Sequence, residues 1–193
     1  MSEPPIAVTL KLDERALPAE EFEHVSARAG LIAERRVKRE EALGCEVGSH
    51  SYDHKNFNKL TNAEIAADVQ KTAAAFRKVL GRDPAIFRPP YGNCKDSVKK
   101  QLPMSIYLWS IDTLDWKSRD AKAIVDVVKS AGNLDGKVIL MHGIYGSTAE
   151  ATATLVPYLQ KQGYELVTVS ELVEAKHGET PQKGKIYGYS YFK

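Results

Sequence analysis

Six short runs rich in β-branched, aliphatic and aromatic residues recur along the chain, with helical stretches between them. The runs are IAVTLKL (6–12), CEVGS (45–49), AIFRPP (85–90), SIYLWSI (105–111), KVILMH (137–142) and ELVTVS (165–170). Their length and composition are those of buried strands. Strand–helix alternation implies parallel strands, because a parallel pair needs a long crossover and a helix supplies one. The chain is therefore expected to be an α/β protein, either a doubly wound sheet or a barrel. In both architectures chemistry gathers where strands end.

The clearest helix is predicted over 62–80, NAEIAADVQKTAAAFRKVL. Thr61 is its N-cap, Glu64 completes a capping box and Gly81 stops it. Ile65, Val69, Ala73, Phe76 and Leu80 give it one apolar face. Other helices are predicted over 31–43, 119–131 and 148–162, with a short one near 95–102 and a last one capped by Ser170. Residues 1–175 are read as one domain. The polar, Gly- and Tyr-rich tail over 176–193 is expected to lie over the surface.

Composition removes several classes of function. Of 193 residues, 27 are basic and 25 acidic, a net charge of +2 that gives no general pull toward nucleic acid or an anionic membrane. The run ERRVKRE (34–40) alternates its charges at helical spacing, as a solvated helix face does. No stretch approaches the roughly 20 apolar residues of a membrane span, and the N-terminal residues lack the pattern of a signal peptide. Two cysteines, Cys45 and Cys94, are too few for a disulfide framework; free thiols are expected, with a bridge as the alternative.

Polar residues stand at the ends of five predicted strands. The first ends in Asp13-Glu14, the second in HSYDH with His50 and His54, and the third runs into Arg88-Pro-Pro-Tyr91-Gly92. The fourth gives DTLDW with Asp112, Asp115 and Trp116, and the fifth ends in His142. Each has a plain reading alone: a surface turn, a rigid Pro-Pro turn, a loop acid beside a core aromatic, a satisfied core histidine. Five in series on parallel strands argue for one polar site. Imidazole suits zinc, and a carboxylate from Asp13 or Glu14 is available as a further ligand. Arg88 is placed to orient a carboxylate while a backbone N–H of its turn points into the site, and His142 with an acid to hold it suits proton donation.

Together LDE, HSYDH, RPPYG, DTLDW and LMH resemble the five ordered motifs of the NodB-homology polysaccharide deacetylases, a carbohydrate esterase family. The resemblance runs from about residue 37 to 173. It implies a distorted (β/α) barrel and metal-dependent removal of acetyl groups from N-acetylglucosamine residues of a polysaccharide, peptidoglycan or chitin-like. By position it makes Asp13 the catalytic base, Glu14, His50 and His54 the ligands of a divalent cation, most simply Zn2+, and Arg88 the residue that steadies the base. Tyr91 then supplies an oxyanion N–H, Asp115 tunes His142 as the proton donor, and Leu140 and Trp116 line the acetyl-methyl pocket. It further implies action outside the cell or at its surface on an acetylated polysaccharide.

The first motif departs from the family. Glu14 stands where the metal-binding Asp is usual, Arg15 where Gly is, and Ala16 where Pro is. Residues 17–44 offer only GLIA as a faint strand, so one βα element near the N-terminus is expected to be shortened or missing. A catalytically impaired or inactive carbohydrate-binding homologue, or a truncated fragment, is therefore the alternative to a working deacetylase.

Overall fold

The computed structural model describes residues 34–191 and, as backbone, residues 6–9. Asp13, Glu14 and most of the segment expected to lack a βα element lie outside the described residues. The chain divides into two compact units. Among described residues one comprises 6–9, 107–181 and 187–191, and the other 34–106 and 182–186.

The first unit is built on a four-stranded sheet. Strands β1 (Ile6–Thr9), β4 (Ile111–Asp112), β5 (Val138–Leu140) and β6 (Leu166–Val167) lie in the order β4-β5-β1-β6. All three pairings are parallel, with Thr9 opposite Leu140 and Asp112 opposite Leu140 on the other side. Helices α4 (Asp115–Ser118), α5 (Ala121–Ser130), α6 (Gly146–Lys161) and α7 (Val169–His177) belong to this unit. Its core joins Ile124 and Val128 of α5, Ala151, Leu155 and Leu159 of α6, and Ile139 of β5. The strands are short apolar runs and the helices carry the apolar stripes that cover them, as the alternation requires.

The second unit holds α1, whose described part covers 34–42, α2 (Asn62–Leu80), β2 (Ile86–Phe87) and α3 (Asp96–Lys99). Strand β3 (Ser105–Tyr107) pairs in parallel with β2 and lies between it and β7 (Ile186–Tyr187). The core of this unit centres on Phe57, Ile65, Phe87, Val98 and Ile106. Helix α2 has the predicted bounds. Thr61 and Glu64 form the full capping box, and Gly81 ends the helix at φ 70°.

Four local expectations change. The run 45–49 is not a strand: only Ser49 makes a bridge, parallel to Phe87. Gly48 explains this, since it presses its backbone onto Ile86 instead of presenting a side chain. SIYLWSI splits in two because its amides change partner, Leu108 N donating to Tyr187 O and Ser110 N to Val138 O, both at 2.8–2.9 Å. The last helix is capped by Thr168, in a capping box with Glu171, so Ser170 falls inside its first turn. Part of the tail expected on the surface is strand β7, and Tyr187 is fully buried, stacked on Tyr107 with ring centroids 5.2 Å apart. Cys45 and Cys94 are free thiols.

The Gly48 contact yields a direct test. A β-carbon there would overlap Ile86 Cγ1 and lie 2.7 Å from Ile86 Cδ1. Overpacking of this kind costs about 1–3 kcal/mol. Urea unfolding of Gly48→Ala is expected to show a loss of that size; wild-type stability would mean the approach is not tight.

Candidate active site

In the second unit the backbone itself sets two motifs side by side. Ser49 N donates to Ile86 O and Arg88 N donates to Ser49 O, each at 2.9 Å. The next residue along the HSYDH motif, His50, thereby meets Arg88. His50 Nδ1 lies 2.5 Å from Arg88 O. A carbonyl oxygen only accepts, so Nδ1 carries the proton and Nε2 keeps the lone pair. That is the arrangement in which a histidine ligates a cation through Nε2, its ring held by a backbone carbonyl. Arg88 Nη2 lies 3.3 Å from the same Nε2.

The turn after His50 is tightly constrained. Ser51 and His54 are non-glycine residues at φ 72° and 53°, a region that L residues avoid unless surroundings enforce it. Ser51 Oγ accepts from His54 N at 2.9 Å. Asp68, near the middle of α2, accepts from Tyr52 N at 2.9 Å and from Asp53 N at 3.1 Å. The His50 and His54 rings stand edge to face with centroids 4.8 Å apart, and His54 meets the Tyr91 ring in the same way at 5.1 Å. Tyr91 is itself left-handed, at φ 60°, within the short 3-10 turn Pro90–Gly92, and its ring is largely exposed.

Two imidazoles, one with its Nε2 lone pair prepared, suit a borderline-soft divalent cation such as zinc. Among the described residues no group of three or more His, Cys, Asp or Glu side chains is set to hold a metal ion. The third expected ligand, Glu14, is outside them. Cys94 lies two residues past the RPPYG turn, and burial pushes its thiol up to about 11.

The first unit holds the other cluster, at the ends of two neighbouring parallel strands. Asp115 opens α4 just beyond β4, and His142 lies just beyond β5. The Asp115 side chain has no exposed surface. Its Oδ1 accepts from Trp116 N at 2.8 Å and lies 2.7 Å from His142 Nδ1; its Oδ2 accepts from His142 N at 2.5 Å and from Thr148 Oγ1 at 2.8 Å. Burial pulls the carboxyl's pKa up, but the bonds from the His142 ring and amide and from Thr148 outweigh it and hold Asp115 below its ordinary value. An ionised Asp115 fixes the His142 proton on Nδ1. Leu140 is buried, and its carbonyl accepts from Thr113 Oγ1 at 2.7 Å. Trp116 is 46% exposed.

Thus His50, His54, Arg88 and Tyr91 form one group, and Asp115, Trp116, Leu140 and His142 belong to the other unit. Asp68, Thr148 and Thr113 are additions. Asp68 had a signal in the sequence, an acid beside Ile65 and Val69 on the apolar side of α2. Thr148 and Thr113 had none.

The Polysaccharide deacetylase family profile matches residues 13–105. The chain is 42% identical over 134 residues to the peptidoglycan-N-acetylmuramic acid deacetylase PdaC of Bacillus subtilis, covering 69% of this chain and 28% of that protein. It is 41% identical over 151 residues to the peptidoglycan-N-acetylglucosamine deacetylase PgdA of Listeria monocytogenes, covering 78% of this chain and 31% of that protein. A solved structure of T48 deacetylase with substrate superposes at a TM-score of 0.81, with 31% identity over 96% of both chains. With parallel strands ending in the family's motif residues, the chain belongs to the polysaccharide deacetylases of the NodB-homology class, and the expected α/β fold, a distorted barrel, is the fold of its solved relatives. It spans less than a third of the length of the curated relatives named here.

The Asp115 network makes two predictions. A carboxyl whose pKa is lowered by folding adds stability that is complete above its ordinary value of about 3.9 and is lost as pH falls through the lower, folded one. Unfolding measured from pH 7 to pH 2 should show this acid loss in the wild type and a smaller one in Asp115→Asn. Thr148→Val should cost about 1 kcal/mol, the net worth of one hydrogen bond; an unchanged melting curve would show that Thr148 adds nothing to holding Asp115.

Proposed function

We propose that the chain is the catalytic part of a deacetylase that hydrolyses the acetamide of N-acetylglucosamine residues in peptidoglycan or a chitin-like polymer, at or outside the cell surface. The observation that carries the reading is the buried Asp115 carboxylate bonded to His142 Nδ1. The ionised acid holds the ring and prepares the histidine to give up a proton from its other nitrogen.

His50, His54 and Glu14 would hold a divalent cation, most simply Zn2+. Such a cation, when bound, supplies Lewis acidity that acidifies water and polarises an acyl carbonyl. The chain's own residues do the rest. Asp13 takes a proton from the attacking water as its oxygen bonds to the acetyl carbon, and Arg88 keeps that carboxylate oriented and ionised. The Tyr91 N–H donates to the oxygen that becomes negative. His142 gives its proton to the sugar nitrogen as the carbon–nitrogen bond breaks, so acetate and a free amine leave; an ester would give a hydroxyl instead. Leu140 and Trp116 pack against the acetyl methyl.

The departure at Glu14 supports a second reading, a carbohydrate-binding homologue that lacks turnover, and the solved relatives include a pseudoenzyme. Acetate release from acetylated glucosamine oligomers and from peptidoglycan, with metal analysis of the same samples, separates the two. A deacetylase retains near-stoichiometric zinc that is lost in His50→Ala and in Glu14→Ala. Replacing His142 by Ala should leave the metal in place and lower turnover on the order of 100- to 10,000-fold. Background acetate release with no retained metal would end the deacetylase reading; full turnover in His142→Ala would remove the proton-donor role.

A further inference from the structure

We infer that Asp68 of α2 is a positioning residue for the cation ligands, holding the turn that joins His50 to His54; this role rests on reading those histidines as ligands. Asp68 is 5% exposed and stands beside buried Ile65 on the helix. An apolar residue there would serve packing without burying a charge, and a buried carboxylate is costly unless hydrogen bonds compensate it. Here they come from the turn. Oδ1 accepts from Tyr52 N and Oδ2 from Asp53 N, at 2.9 and 3.1 Å. These are charge-assisted bonds, stronger than bonds between neutral groups.

The turn needs that support. It contains two non-glycine residues at positive φ, Ser51 and His54, and the second is itself an expected ligand. Ser51 Oγ caps the amide of His54. Three successive amides, at 52, 53 and 54, are thus held by side-chain oxygens, two of them from one carboxylate on a rigid helix. One turn further along α2, Lys71 Nζ lies 5.4 Å from the Tyr52 ring centroid, a second contact between helix and turn. His50 is fixed from the opposite side by the Arg88 carbonyl. With both ends anchored, the imidazoles keep their 4.8 Å edge-to-face separation. Releasing the amides of 52 and 53 would let His54 leave its strained conformation and separate from His50.

Cobalt(II) affinity of the full chain, measured by competition with a chromophoric chelator, tests this without any need for turnover. Asp68→Asn keeps the side-chain volume but turns an NH2 toward one of the amides. It is expected to weaken cobalt binding about 10- to 100-fold, as loss of a supporting hydrogen bond around a metal ligand does. Asp68→Glu, which retains both acceptor oxygens, is expected to weaken it less. Thr72→Val removes another buried polar group of α2, whose hydroxyl donates to Asp68 O rather than to the turn. It is expected to lower the melting temperature and leave affinity unchanged. Amide exchange in the wild type gives a readout free of folding questions: Tyr52 and Asp53 should be protected together with α2.

Wild-type affinity in Asp68→Asn, equal losses in Asp68→Asn and Thr72→Val, or exposed-loop exchange at residues 52 and 53 would each overturn the role of Asp68 while leaving the histidines as ligands. A wild-type chain that binds no cobalt, or whose binding survives His50→Ala, would instead overturn the ligand reading and this role with it.

Discussion

A carboxylate without access to water survives at the start of α4 because four donors meet it. Two come from His142, one from the backbone of Trp116 and one from the hydroxyl of Thr148. The constraint is severe, since each oxygen removed from water must find its bonds inside the protein. It also ties together three separate stretches of chain: the turn after β4, the end of β5 and the first turn of α6. The donor that makes two of these bonds is a histidine, whose second ring nitrogen is left over for other use.

The same logic operates in the second unit with the polarity reversed. There the groups to be satisfied are backbone amides in a strained turn, and the acceptors come from Asp68 of α2 and from Ser51 of the turn itself. Parallel pairing supplies the frame in both units. Asp112 is in register with Leu140, and Ser49 bridges to Phe87. The residue after each pair, or a few beyond, is therefore delivered to the same end of its ladder. Short strands suffice because only their last residues need to be placed.

Much of this was legible in the sequence. Strand–helix alternation gave the class, and the capping box at Thr61 with Gly81 set both ends of α2. The motif residues His50, Arg88, Asp115 and His142 could be named because polar residues recur at successive strand ends and in the order of a family's motifs. What could not be read depended on partners far away in sequence. Ser49 is a bridge and not a strand because Gly48 must lie against Ile86. SIYLWSI breaks because its amides divide between Tyr187 and Val138. Tyr187 is interior although it belongs to a tail that reads as polar, since what it stacks on is Tyr107. Asp68 takes its role from the amides of Tyr52 and Asp53, which lie outside the helical pattern.

The order of strands in the first unit also sets a timetable. Strand β1 is made first and ends up in the interior of its sheet, flanked by β5 and β6. At ribosomal speeds its two partners follow on the order of ten seconds later. Throughout that interval β1 has no neighbour in its final sheet, and loop closure over so long a span is slow. The nascent chain therefore passes a prolonged period without its central sheet. The second unit is in a different position, since the residues of its core all precede β5 in the chain.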